Sequence, residues 1–258
     1  MISPVAEILL NTRRAPLNDV KVRQAIAYAI DRNFVVNNIW FGYGKVATGP
    51  MSSNFAPSGL YTDKVKKYQV PNGVEIANKI LDDFGYKKKA DGYRFQIMHD
   101  SLPYSQEWTR FGEYIQQALG KIGIKVKIRL EDVPRWLKRT FTTNDFDTTG
   151  NYLYNLSDPV VGVHRAISVR AIKKGRVFSN GSGWSHPKVD EMFDKATVEP
   201  DAKKRGEYYA VALRIAAENI PIIWTHEMNF PTVINNKFKD VIVSPLGIYS
   251  NFDRVQLK

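Results

Sequence analysis

The sequence predicts an α/β fold built on a largely parallel sheet, and three observations predict it. Residues 94–152 alternate strand, helix, strand, helix, strand, the order that a parallel sheet with crossover helices requires. Ile124, Val126, Ile128 and Leu130 alternate with Lys125, Lys127, Arg129 and Glu131, the period of a strand with one wet face. Elsewhere apolar residues recur at i, i+3, i+4 and i+7, as in helices lying on a core.

The elements follow in order. Residues 4–11 (PVAEILLN) read as a strand entering the domain. Asn18 and Asp19 are both good N-caps, and Val22, Ala25, Ile26, Ala29 and Ile30 form one apolar stripe behind them. Asp31 starts a continuation through Phe34, Val35, Ile39 and Trp40. Residues 42–59 are rich in Gly, Pro and Ser and read as a long loop. Val74, Ala77, Ile80, Leu81 and Phe84 define a helix closed by Gly85. A short strand is predicted over 94–99. Ser105 then caps a helix that turns Trp108, Phe111, Ile115, Ala118 and Ile122 inward. After the strand at 124–131, Asp132 caps a short helix with Pro134 in its first turn, and 145–152 form a third strand. Helices start at Pro187 and Asp201, and 220–227 (IPIIWTHE) form a last strand.

Composition narrows the function. With 258 residues and 43% hydrophobic residues the chain can bury a real core. Cysteine is absent, which excludes disulfides, thiolate metal sites and cysteine nucleophiles. His99, His164, His186 and His226 are scattered without ligand spacing, so neither a metal site nor any cofactor is expected. No acid–base or nucleophile constellation stands out, which argues against an enzyme. Basic residues outnumber acidic ones by 37 to 26, a net charge of +11, yet they are spread along the chain. The one dense cluster, Lys87 to Lys89, reads as a solvated loop, so no nucleic-acid partner is expected. No apolar run is long enough to span a membrane. Residues 1–10 lack the basic start of a secretory signal.

Residues 14–32, RAPLNDVKVRQAIAYAIDR, resemble the segment that opens the second lobe of the family 5 extracellular solute-binding proteins. These are the dipeptide- and oligopeptide-binding components of bacterial ABC importers. GYGKVATGP (42–50), GVEIANKILDDFGY (73–86), the block FSNGSGWSHPKVDEMFDKATVEPDAKKRGEYY (178–209) and IPIIWTHE (220–227) are similar to later family segments, in order and spacing. The resemblance implies a periplasmic-binding-protein-like lobe with a mixed, mainly parallel central sheet flanked by helices. It implies that 1–230 form the second, C-terminal ligand-binding lobe, and that 231–258 would return to a missing N-terminal lobe. A membrane permease, a small-molecule solute and a periplasmic location are implied with it, and a signal peptide is expected upstream. Loss of an acidic first lobe would leave this one looking basic.

Candidate ligand residues follow from the strand ends and from the resemblance. Loops at the carboxyl ends of strands bind ligands in open α/β sheets, which points to Tyr152, Leu153, Tyr154, Asn155 and Asp158. In peptide-binding relatives an Asp three residues before the acidic-Pro pair holds the peptide's ammonium. Counting back from Asp158-Pro159 puts Asn155 there, and an amide cannot neutralise that charge. A bland alternative makes Asn155 a turn residue and Asp158 a helix cap. Trp136 corresponds to a cavity-lining Trp of the relatives or packs in the core. Arg165 reaches an anionic ligand or the missing lobe, or stays solvated; Trp184 is cavity wall or loop anchor. The expected solute is a non-peptide, a sugar derivative or an anion. The alternatives are a peptide-binding lobe and, in another class, a hydrolase or transferase on a similar scaffold. The apolar residues of 231–258, Phe238, Val241, Val243, Leu246, Ile248, Tyr249 and Phe252, predict packing on the lobe or on a neighbouring chain.

Overall fold

The computed structural model describes residues 4–244 and 247–258, and the side chain of Ile248 lies outside the description. Leu246 and the first three residues of the segment tested for a secretory signal therefore lie outside the described residues. A six-stranded sheet forms the centre, in the order β2-β6-β1-β5-β3-β4. Its strands are β1 (Pro4–Leu10), β2 (Gly44–Val46), β3 (Phe95–Asp100), β4 (Ile124–Arg129), β5 (Thr148–Tyr154) and β6 (Ile222–Met228). β3 pairs in parallel with β4 and β5, as the strand–helix alternation requires. β1 lies antiparallel between β5 and β6, and β2 lies antiparallel on the outer side of β6. Four of the six strands thus point one way and β1 and β2 oppose them, a mixed and mainly parallel sheet.

Every residue of β1 is buried because both faces of the sheet are covered. Ala6, Ile8 and Leu10 join one core with α1 (Val20–Ala29), α2 (Gly73–Asp83) and α3 (Gln106–Gly120). Val5, Leu153, Ile222 and Trp224 join a second core. It is closed by α4 (Pro187–Val198) and α5 (Ala202–Asn219). Burial of each Leu, Ile or Val here contributes about 1.5–3 kcal/mol against chain entropy.

Helix starts fall where short acidic side chains stand. Asp19 accepts from the Lys21 N–H at 2.8 Å and Asp201 from that of Lys204 at 2.8 Å. Asp132 accepts from the Arg135 N–H at 2.9 Å. The third strand starts later than the spacing predicts, at Thr148. Asn144 is left-handed, and the Asp147 carboxylate accepts from the Met98 N–H at 2.8 Å, which ends the loop there.

The segment after β6 departs from expectation. Phe238–Lys239 and Gln256–Leu257 pair only with each other, as a second small sheet. No described residue of 231–258 enters either core, and Val233 is 97% exposed. The segment meets the lobe only at its surface, through Pro231 at the hollow and Tyr249 near Tyr152 and Tyr154, and the pairing of its own ends leaves most of its described apolar side chains exposed.

Candidate functional site

A hollow of about 370 Å³ lies where the carboxyl ends of β5 and β6 meet the segments 40–43 and 104–108. Its lining is dominated by rings. Tyr152, near the end of β5, is the hub: it stacks on Trp108 at 5.9 Å and meets Tyr104 and Phe230 edge-on at 6.1 Å each. Tyr154 packs on Tyr152 at 5.7 Å and on Phe230 at 6.5 Å. Trp40 supports Trp108 edge-on at 5.2 Å. Such contacts are favourable beyond the area they bury. Burial raises the hydroxyl pKa values of Tyr104, Tyr152 and Tyr154, so these remain neutral hydrogen-bonding groups.

The outer ring is bare. Phe41 is 60% exposed, Phe230 54%, Tyr43 52% and Tyr104 40%. So many uncovered aromatics around one concavity mark a surface made to be covered. Glu107 is the one carboxylate among the described lining residues. A hydrogen bond from Ser105 and one from the backbone at the start of α3 hold its pKa below the usual carboxylate range.

The polar residues beside the hollow serve the backbone instead. Asn155 is enclosed; its Oδ1 accepts from the Ser52 N–H at 2.5 Å and its Nδ2 donates to the Pro50 carbonyl at 3.1 Å. Glu227 accepts from the Ser52 hydroxyl at 2.6 Å, the Ser53 N–H at 3.0 Å and the Ser53 hydroxyl at 3.1 Å. The loop 47–59 is thus pinned to the ends of β5 and β6. Gly162 completes the pin, since a Cβ built there would stand 1.9 Å from the Asn155 carbonyl. Asp158 caps the short helix at Pro159–Gly162 through the Val160 N–H at 2.8 Å, and forms a two-pronged pair with Arg205 at 2.6 and 2.8 Å. Arg165 is half-buried rather than solvated, because its guanidinium donates to the Tyr154 carbonyl at 2.8 Å.

Two candidate tryptophans lie in the packed interior. Trp136 is 1% exposed, and its indole N–H donates to Thr149 at 2.8 Å. It backs the wall through Tyr104, at 6.1 Å. Trp184 sits in the second core, stacked on His186 at 6.0 Å, away from the hollow. Leu153 also faces that core. Of the residues chosen from sequence, Tyr152 and Tyr154 come together in the aromatic cluster, with Arg165 bound to its backbone.

Sequence reasoning missed the rest of the wall, above all Phe41, Tyr43, Tyr104 and Phe230. It also passed over Glu7, whose signal is a lone carboxylate inside an apolar strand. Glu7 is buried opposite Asn151, whose Nδ2 donates to it at 2.8 Å. Burial pushes its pKa up to about 8, against the opposing pull of Asn151 and Arg165. Among the described residues no group of three His, Cys, Asp or Glu side chains is placed to hold a metal ion.

Comparison with known proteins places this geometry. The sequence model of the bacterial extracellular solute-binding proteins, family 5 (middle), matches residues 5–163. The dipeptide-binding protein of Escherichia coli is 27% identical over 98% of this chain and 46% of its own length. Heme-binding protein A of Haemophilus influenzae is 25% identical over 94% of this chain and 43% of its own. The solved structure of HbpA2 from Haemophilus parasuis superposes with a TM-score of 0.82 at 28% identity, over 99% of this chain and 48% of that one. The chain spans about half the length of the relatives it matches.

Proposed function

Because this chain belongs to the bacterial extracellular solute-binding proteins of family 5, we propose that it is one lobe of a two-lobed solute receptor of an ABC importer. Residues 1–230 supply the second lobe and 231–258 the return to the first. The hollow around Tyr152 is one wall of the solute cleft, and the first lobe and the solute cover its bare aromatics. A permease in the membrane receives the loaded receptor on the outer side of the cytoplasmic membrane. The single observation that supports this most is the ring of exposed aromatics at the carboxyl edge of the sheet. The lobe binds and performs no chemistry.

The solute this wall suits has flat faces and no free ammonium, such as a sugar derivative or an anion. Rings stack on such faces, and the amide at Asn155 is already occupied by the backbone of the pinned loop. A peptide solute is the second reading, favoured by Glu107, a carboxylate at the hollow that is able to meet an ammonium.

Calorimetry on the two-lobed receptor, with matched sets of peptides and sugar derivatives, separates them. On the first reading Tyr152→Ala weakens binding by about tenfold or more and Glu107→Gln leaves it unchanged. Tight binding of free-amine peptides that is lost in Glu107→Gln would establish the second. Binding indifferent to Tyr152→Ala would remove the hollow from the site altogether. The 258-residue chain alone is expected to bind at best around millimolar, since one wall rarely offsets the entropy of association.

A further inference from the structure

A second pocket, of about 290 Å³, opens beside the β2–β6 edge of the sheet and shares no lining residue with the aromatic hollow. Val46, Ala47, Ala217, Ile220 and Trp224 give it apolar walls, Thr48, Tyr68 and Gln69 add polar groups, and Arg32, Lys66 and Lys67 are its basic lining residues. Among its described lining residues there is no carboxylate.

Arg32 is the unusual member. It is 4% exposed, and its Nε donates to the Trp224 carbonyl at 3.0 Å. Its Nη1 donates to the carbonyls of Ala27 and Ile30 at 3.2 Å each. Nη2 takes part in none of these bonds, and no carboxylate forms an ion pair with Arg32 among the described residues. Asp31, its neighbour in sequence, is spent on the N–H groups of Asn33 and Phe34 and on Gln69. Asp31 still acts on the Arg32 charge from a distance, but the groups in hydrogen-bond contact with the buried guanidinium are carbonyls, and no carboxylate meets it directly among the described residues. Burial accordingly draws its pKa down to about 10.

The surroundings repeat the pattern. The Lys66 ammonium lies 5.3 Å over the ring of Tyr68, which also lines the pocket. Glu218 is the acidic group that acts on Lys66, and burial and Lys21 outweigh it. The indole N–H of Trp224 is buried and has no hydrogen-bond partner among the described residues. Basic side chains around an apolar chamber define the complement of a ligand with a negative head and an apolar body.

The geometry points to a second ligand site here, for a small organic anion: a carboxylate on a short apolar chain. The head meets Arg32, Lys66 and Lys67, and the chain lies against Val46, Ala217 and Trp224. This site is independent of the solute cleft and stands or falls separately from it.

The test follows the indole N–H signals of the ¹⁵N-labelled chain, with the Trp224 signal assigned by Trp224→Phe, during titration with sodium octanoate. Saturable movement of the Trp224 signal is expected. The Lys66→Gln/Lys67→Gln double variant should weaken it by about tenfold or more, with the rest of the spectrum retained. 1-Octanol has the body without the charge and inorganic phosphate the charge without the body, so each should bind about tenfold more weakly or worse. A Trp224 signal unmoved up to about 10 mM octanoate, a range that covers even weak sites, would overturn the proposal. So would octanoate binding unaltered by the double variant, or 1-octanol binding as tightly as octanoate.

Discussion

Tyr154 and Asn155 are neighbours in sequence at the end of β5, and they meet opposite fates. The Asn155 amide is enclosed and both its ends are taken by the backbone of the loop 47–59. The Tyr154 ring stays half-buried in the aromatic cluster beside Tyr152 and Phe230. The same division runs through the whole edge: Glu227 and Asp158 are saturated with partners, while Phe41, Tyr43 and Phe230 are each left more than half exposed. Polar groups here set the shape of the wall, and on the proposed function its aromatic faces are what it offers to a solute. A change in the first set should be read in stability, and a change in the second in binding.

That contrast breaks most visibly at Gly162. Its Cβ would overlap the Asn155 carbonyl, so Gly162→Ala must displace the pinned strand end. A loss of about 3 kcal/mol or more is expected in denaturant unfolding. A loss near zero would mean that the pin yields freely. Glu227→Ala comes next. It strands the Ser52 and Ser53 donors, and about 2–3 kcal/mol should be lost by the same measurement.

The third expectation is a pH slope. Glu7 has a pKa raised from 4.5 to about 8 in the folded chain, so folding favours its protonated form. That stability is full below 4.5 and drains away as pH rises to about 8, by at most about 1.4 kcal/mol per pH unit. Glu7→Gln should flatten the decline. His99 and His226, pushed down to about 3 by burial, act on the other side. They stay neutral in the fold, so stability should fall as pH drops from 6.5 towards 3, with or without the Gln substitution. The smallest effect belongs to the bare ring: Phe41→Ser should alter stability by no more than about 0.5 kcal/mol. It should still weaken solute binding to the two-lobed receptor, which is the sharpest form of the comparison.

Much of the fold was legible because its signals are local. Asp19, Asp132, Asp158 and Asp201 cap where a short carboxylate precedes an apolar stripe. The parallel trio β3, β4 and β5 follows from crossover helices of adequate length. The seat of β1, between β5 and β6, depends on residues more than a hundred positions apart, and no periodicity reports that. β2 hid in a Gly-rich loop because three residues pairing with β6 leave no pattern. At the site, Tyr152 and Tyr154 were found from a strand end. Phe41, Tyr104 and Phe230 come from three separate loops, and only the folded chain brings them together. Asn155 shows the limit of spacing: distance from Asp158-Pro159 says nothing of which atoms the side chain will bond.

Trp40 and Trp108 both line the aromatic hollow, 5.2 Å apart, while Trp136, Trp184 and Trp224 stand elsewhere. Trp40 also lies 4.4 Å from the ring of His226. The wall therefore contains its own fluorophores. Replacing the other three by Phe would leave an emission that reports what touches the hollow, so the proposed solute occupancy could be read by light without any attached dye.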